Sequence, residues 1–265
     1  MKLVPLSRNV GVEVQNLDIK PPFNSSHINE LKSALDHHVL LVIRGRELSE
    51  NDQCQFAEQF GPLGIRKVSP RDHRKHGVST RGHVMLVTNI PEAASSKSGS
   101  YGDGEMWFHA DSCYYEIPNQ ATFLYAIELP STGGNTRINN MYKAYDNLPT
   151  SLRTRLEGRK ALQIHDHKRR ERINLDAVVI DDLRHFWQPI FVTHPRTRRR
   201  ALYVNRLMTA CIEGLGQTES DSILEDLFAI AEDHAIGYEH EWRVGDLLIW
   251  DNYASIHMRT DFPRE

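Results

Sequence analysis

The amino-acid sequence predicts an α+β, mainly β protein: a double-stranded β-helix (jelly roll) core with flanking helices. Short apolar runs bounded by turn residues recur along the chain, and each reads as a strand. Helical periodicity is confined to patches near the start and late in the chain, the pattern of an antiparallel β core dressed with helices. Neither an internal repeat nor a low-complexity linker interrupts the 265 residues. We therefore expect one domain over 1–265, with a double-sheet jelly roll as its architecture.

The elements follow in order. Val12-Glu13-Val14 and Leu17-Asp18-Ile19 are strand-like. Ser25-Ser26 precedes a helical pattern with Ile28, Leu31 and Leu35 on one face, so the serines are the expected cap. The continuous apolar run Val39–Ile43 reads as a buried strand. A second helix is predicted from Ser49, with Glu50 and Asp52 in its first turn, Phe56, Ala57 and Phe60 inward, and Gly61-Pro62 as its stop. From about Arg66 to Glu105 the chain turns polar and basic, broken by a short strand at Val84–Val87; such a segment inside a domain is commonly functional. A strand is expected at Ala121–Leu129, then a Gly133-Gly134 turn and a helix around Leu148–Leu156 begun by Pro149. Residues 165–185 read as charged loop. Ile190–Val192 and Ala201–Val204 are strands joined by the turn His194–Thr197, Leu224–Ala231 is helical, and Trp242 and Leu247–Trp250 mark strands around Gly245-Asp246.

Composition narrows the function. A net charge of −3 argues against a nucleic-acid partner. No run approaches the roughly 18 apolar residues of a membrane span, and the opening Met1–Pro5 does not read as a secretory signal. Three widely spaced cysteines, Cys54, Cys113 and Cys211, fit a reducing compartment, so a cytoplasmic location is expected.

The chemistry centres on Trp107-Phe108-His109-Ala110-Asp111 and a distant His257. Side chains two apart on extended backbone project to one side, so His109 and Asp111 can reach a common ion. A histidine from elsewhere completes two imidazoles and one carboxylate, the set that holds non-haem Fe(II) with open positions for a cosubstrate and dioxygen. With fourteen histidines in the chain, a solvated or core histidine is the competing reading of the tripeptide alone, and His165-Asp166-His167 is a comparable cluster.

Five ordered motifs carry a family resemblance. They are Trp107…His109-x-Asp111, Leu129-Pro-Ser-Thr-Gly-Gly-Asn-Thr136, Ala144-Tyr145, Thr193-His194-Pro195…Ala201-Leu-Tyr-Val-Asn-Arg206, and Gly245-Asp-Leu-Leu-Ile-Trp-Asp-Asn252…His257. Together they resemble the taurine dioxygenase / chlorophenoxyacetate dioxygenase family of Fe(II)- and α-ketoglutarate-dependent oxygenases. The resemblance implies that His109, Asp111 and His257 bind iron. It also implies that the Thr136 hydroxyl contacts the distal carboxylate of α-ketoglutarate, and that dioxygen is consumed with release of succinate and CO2 as a substrate C–H is hydroxylated. It further places Arg66, Ser112 and Glu105 at the substrate. The basic residues from Arg66 to His76 favour a small anionic substrate, and relatives suggest a homodimer or homotetramer.

One part of the pattern is missing. The family's carboxylate-binding arginine, a planar bidentate partner, would fall roughly a dozen residues after the last iron-binding histidine. The sequence stops at Glu265, and Arg259 and Arg264 lie too close to His257 to match. We expect a domain lacking its extreme C-terminal segment. A Zn- or Mn-dependent hydrolase or isomerase, or a catalytically weak binding relative, stays open at this point.

Overall fold

The computed structural model describes residues 1–64, 83–85, 87, 105–165, 173, 175 and 179–263. Within them the molecule is mainly β, with fourteen strands and five α-helices. Strand β1 (Lys2–Pro5) pairs antiparallel with β2 (Val12–Gln15), which runs parallel to β3 (Leu40–Ile43). Strand β3 pairs with β13 (Leu247–Asp251), and β13 with β5 (Ala121–Tyr125), completing a five-stranded sheet.

The two central strands are apolar at successive positions because both faces of the sheet are covered. Leu41, Ile43, Leu247 and Ile249 turn to one side and pack against Ile28, Leu31 and Leu35 of α1 (Ser25–His38). Leu40, Val42, Leu248 and Trp250 turn to the other side and meet Ile138 of a second sheet. Each such side chain contributes roughly 1.5–3 kcal/mol on burial, before ordering costs. The second sheet is four-stranded, in the order β12 (Gly237–His240), β6 (Thr136–Asn140), β14 (Ser255–Arg259) and β4 (Met106–His109).

Smaller units complete the described fold. Strands β7 (Lys160–Ile164), β8 (His185–Pro189) and β11 (Thr209–Ile212) form a three-stranded sheet, and β9 (Phe191–Thr193) pairs with β10 (Arg200–Leu202). Helices α3 (Met141–Asp146), α4 (Thr150–Leu156) and α5 (Gln217–Ala231) contribute Met141, Leu156, Leu224 and Phe228 to the largest apolar cluster. No helix among the described residues is long and apolar enough to cross a membrane.

Several expectations change. Asn24, not the serines, caps α1: its side chain accepts from the N–H groups of Ser26 and His27 in extended backbone, whereas Ser25 is already helical. Val39 is a left-handed cap to that helix (φ 69°), which shortens the following strand by one residue. Leu17 and Ile19 are buried in the core beside α1 but pair with no strand. Helix α2 (Glu50–Glu58) does open on the expected residues, in a reciprocal Ser49–Asp52 capping box. Strand β5 stops at Tyr125 because Ala126 is tied by two hydrogen bonds to the Gly245-Asp246 turn, leaving Ile127 exposed. Helix α5 starts seven residues before Leu224, since its first turns are largely polar and show no apolar period. Trp242 follows a strand and is not in one. The strand expected at Val84–Val87 falls on a stretch described only in part; Val84, Met85 and Val87 carry no strand there. Strands β1, β4, β6, β7, β8, β11, β12 and β14 and helix α3 are additions.

Candidate metal centre

Two neighbouring strands of the four-stranded sheet bring the key residues together. Strand β4 ends at His109, and Asp111 follows two residues on. The chain then turns at Ser112, a non-glycine residue in left-handed conformation (φ 58°). The Ser112 hydroxyl accepts from Asn119 N–H at 2.8 Å and the Ser112 carbonyl from Tyr115 N–H at 3.0 Å, pinning that turn. Strand β14 sets His257 directly opposite His109, with ring centroids 4.1 Å apart. His257 thus sits in mid-strand, and its ring lies 4.5 Å from that of Trp250.

The donor atoms converge. One ligand atom each from His109, Asp111 and His257 lie within 4.8 Å of one another. His109 Nε2 is 3.7 Å from Asp111 Oδ1, and His257 Nε2 is 3.9 Å from Asp111 Oδ2. These separations are too long for hydrogen bonds. They are short enough for two ligand bonds of roughly 2.1 Å, which together span at most about 4.2 Å. His109 Nδ1 lies 2.9 Å from the Trp107 carbonyl, so it carries the proton and leaves the Nε2 lone pair free. Nδ1 of His257 is buried without a hydrogen-bond partner, which makes Nε2 that ring's polar anchorage.

The electrostatics suit the same purpose. Burial pushes the His257 pKa down to about 3; His109 adds to this and Asp111 opposes it, so the ring is neutral near pH 7. Burial works against ionisation of Asp111. The two imidazoles and the Thr122 and Trp250 donors outweigh it, and the carboxyl lies below its usual range. Two neutral imidazoles and one carboxylate are the donor chemistry of a non-haem ferrous site, so the residues present fit that ion.

The other predicted residues fall at different distances from this point. Thr136 is buried on β6, two positions from Ile138, which stands opposite His257. Its hydroxyl accepts from the Trp242 indole N–H at 3.0 Å, leaving its own proton to donate. Nearby, Gly133 and Gly134 must be glycines in part because a Cβ on Gly133 would meet the Asp261 carbonyl at 2.3 Å. Ser112 adjoins the triad, but its hydroxyl is engaged by Asn119. Glu105 is exposed four residues before His109, roughly 13 Å away along an extended chain. Arg66, with the basic run that follows it, lies outside the described residues, as do Asp166 and His167. Thr122 belongs to none of the sequence motifs, yet its hydroxyl donates to Asp111 Oδ2 at 2.7 Å. A lone hydroxyl between apolar residues of β5 was its one signal.

A second cluster has the same residue types. Ligand atoms of Asp36, His194 and Asp251 also lie within 4.8 Å of one another. Here, however, His194 Nδ1 accepts from the N–H groups of Arg196 and Thr197 at 3.2 and 3.0 Å, so Nε2 bears the proton it donates to Asp251 Oδ2 at 2.9 Å. Asp251 Oδ1 accepts from Tyr253 and Ala254 N–H, and Asp36 Oδ1 accepts from the Arg196 guanidinium. The donors of this cluster are spent within the protein.

Comparison with known proteins points to one family. The family model for "Taurine catabolism dioxygenase TauD, TfdA family" matches residues 2–265. Pentalenolactone F synthase of Streptomyces avermitilis is 29% identical over 272 residues, covering 96% of this chain and 86% of that protein. The alpha-ketoglutarate-dependent 2,4-dichlorophenoxyacetate dioxygenase of Cupriavidus pinatubonensis is 29% identical over 267 residues, covering 96% and 90%. The fold is shared with the crystal structure of AAD-2 in complex with Mn(II) and N-oxalylglycine (TM-score 0.83, 24% identity, 98% of this chain and 92% of that one). It is shared likewise with a taurine dioxygenase from Burkholderia xenovorans (TM-score 0.77, 23% identity, 97% and 82%).

Proposed function

The chain belongs to the taurine catabolism dioxygenase TauD, TfdA family, and from that premise we propose that it hydroxylates a C–H bond of a small anionic organic substrate, with His109, Asp111 and His257 holding its iron. Membership sets the enzyme class: an α-ketoglutarate-dependent dioxygenase using Fe(II), α-ketoglutarate and dioxygen. The hydrolase and isomerase readings left open by the sequence fall away with it. The observation that carries the site assignment is the convergence of ligand atoms from two imidazoles and one carboxylate within 4.8 Å.

Bound ferrous iron would let dioxygen serve as the oxidant that no side chain here can replace, with α-ketoglutarate giving up two electrons as it becomes succinate and CO2. The protein's own residues bind and orient. His109 is aimed by the Trp107 carbonyl, and His257 by its place opposite His109 in β14. Thr136, with its hydroxyl proton uncommitted, donates to the distal carboxylate of α-ketoglutarate. The strained turn at Ser112 and the rim position of Glu105 are assigned to the substrate side, together with Arg66, whose charge suits an anion. Trp250 and Ile138 supply apolar wall that keeps water from the buried side of the triad.

The proposal includes the architecture around the site. The five- and four-stranded sheets, in contact through Leu40, Val42, Leu248, Trp250 and Ile138, are read as the two walls of a jelly roll within a single catalytic domain. Three free cysteines support a reducing, cytoplasmic setting, and a homodimer or homotetramer is the proposed assembly.

The test is a substrate panel under air with Fe(II) and α-ketoglutarate, covering sulfonates, aryloxy acids and acylated amino acids and scored by succinate and by product mass. Succinate formation coupled to a product heavier by one oxygen, or to the fragments of a hydroxylated carbon, is expected for an anionic member of the panel. Coupled turnover of neutral analogues alone would contradict the anionic reading.

A further inference from the structure

We infer that Thr122 and Asn252 form a directional hydrogen-bond relay that holds the Asp111 carboxylate in one orientation and favours a single oxygen of it as metal ligand. The inference rests on Asp111 being a ligand, as proposed above, and concerns what holds its carboxylate in place.

The direction of the relay is fixed at its far end. The Trp250 indole nitrogen can only donate, and it lies 3.1 Å from the Asn252 side chain. The Asn252 atom facing it is therefore the carbonyl oxygen, which makes the other atom the amide nitrogen. That nitrogen donates to Thr122 Oγ1 at 2.9 Å. With its lone pair receiving the amide, the Thr122 hydroxyl turns its single proton to Asp111 Oδ2 at 2.7 Å. The proton order cannot reverse while an indole, which can only donate, stands at its head.

The backbone keeps these groups in place. Thr122 and Trp250 are cross-strand partners on β5 and β13, and Asn252 N–H donates to the Gln120 carbonyl at 2.8 Å just beyond the ladder. Trp250 and Asn252 are essentially inaccessible to solvent, so water does not compete for the relay's upper end.

The consequence bears on coordination number. A carboxylate that binds through both oxygens takes up an additional position on the metal, whereas the two-histidine, one-carboxylate arrangement is useful because it leaves positions open. The Thr122 proton occupies one of the two lone pairs of Oδ2, which lies 3.9 Å from His257 Nε2, and so favours Oδ1, which faces His109 Nε2 at 3.7 Å, as the ligand oxygen. Thr122 and Asn252 are thus positioning residues. They act through Asp111 and touch neither cosubstrate nor substrate in this account.

The experiment measures anaerobic Fe(II) affinity of metal-free protein and the absorption band formed when α-ketoglutarate is added, for wild type, Thr122→Val, Thr122→Ser, Asn252→Asp and His109→Ala. Loss of a supporting hydrogen bond to a metal ligand typically weakens metal binding 10- to 100-fold. We expect that loss in Thr122→Val, with a shifted or weakened band, and recovery to within about 3-fold in Thr122→Ser, which restores the hydroxyl. Asn252→Asp removes the amide donor and should weaken binding in the same direction, which serves if Thr122→Val does not fold. If Thr122→Val or Asn252→Asp folds and binds Fe(II) with wild-type affinity and an unchanged band, the relay is refuted. The His109→Ala arm separates this from its premise: wild-type binding there refutes the ligand assignment itself, while lost binding there with an unaltered Thr122→Val refutes the relay alone.

Discussion

The molecule contains two clusters built from histidine and aspartate at the same spacing, and they are chemically opposite. Around His109, Asp111 and His257, the His109 Nε2 lone pair is unspent, His257 Nδ1 has no hydrogen-bond partner, and both Nε2 atoms stand 3.7–3.9 Å from the Asp111 carboxylate. Around Asp36, His194 and Asp251, the His194 ring accepts two backbone N–H groups on one side and donates to Asp251 on the other. Both bring their ligand atoms within 4.8 Å of one another, one with two histidines and an aspartate, the other with one histidine and two aspartates. The difference lies in where each nitrogen's proton and lone pair go. In the first cluster the backbone carbonyl of Trp107 fixes a tautomer that frees Nε2; in the second, the turn at Arg196-Thr197 fixes the tautomer that occupies it. The second cluster clasps the 194–197 turn to the segment that leads from β13 into β14, and so braces the strand that carries His257.

That contrast can be broken by substitution. The largest effect is expected from His109→Ala, which should abolish ferrous binding and lower succinate formation at least about 100-fold at little cost to thermal stability; iron content by mass spectrometry and a melting curve would check both. His194→Ala should do the reverse. It strands Asp251 and two backbone N–H groups in the interior, for a stability loss of roughly 2–4 kcal/mol in denaturant titration, while the folded protein keeps its iron affinity. Next in size, Thr136→Val should raise KM for α-ketoglutarate about 10-fold, the scale of one hydrogen bond to a charged group, with kcat and iron affinity little changed. Steady-state kinetics at saturating iron would show it.

The smallest effect concerns pH and a third histidine. Burial, reinforced by Arg44, pushes the His240 pKa down to about 4, although Asp246 pulls the other way. The ring is neutral in the fold and protonates near its ordinary value of 6.5 when unfolded. Below pH 6.5 the unfolded chain gains a proton that the native state refuses, so stability falls as pH drops from 6.5 to 4 and this contribution then levels off. His240→Gln should flatten that part of the profile of melting temperature against pH.

Legibility in the sequence followed the same division between local and distant causes. The capping box at Ser49 and Asp52 and the apolar strands β3 and β13 are written in adjacent residues and were readable. His109 and Asp111 were readable as a pair because strand alternation is local. Strand β6 was not, since Thr136-Arg-Ile-Asn-Asn140 is buried throughout yet mostly polar. Its polar groups are satisfied far away, with Asn139 donating to the Ala231 carbonyl and Asn140 to that of Asn9. Thr122 was missed for the same reason, its partners Asp111 and Asn252 lying 11 and 130 residues away. The His194 clasp likewise joins positions 57 apart, and no spacing rule in the sequence distinguishes it from a ligand set.

Anaerobic titration of metal-free protein with Fe(II) in the presence of α-ketoglutarate distinguishes the two clusters. One ferrous equivalent per chain is expected, with a charge-transfer absorption band lost in His109→Ala and retained in folded His194→Ala. A band that survives in His109→Ala, or one that disappears only in folded His194→Ala, would place the metal at the other cluster and contradict this expectation.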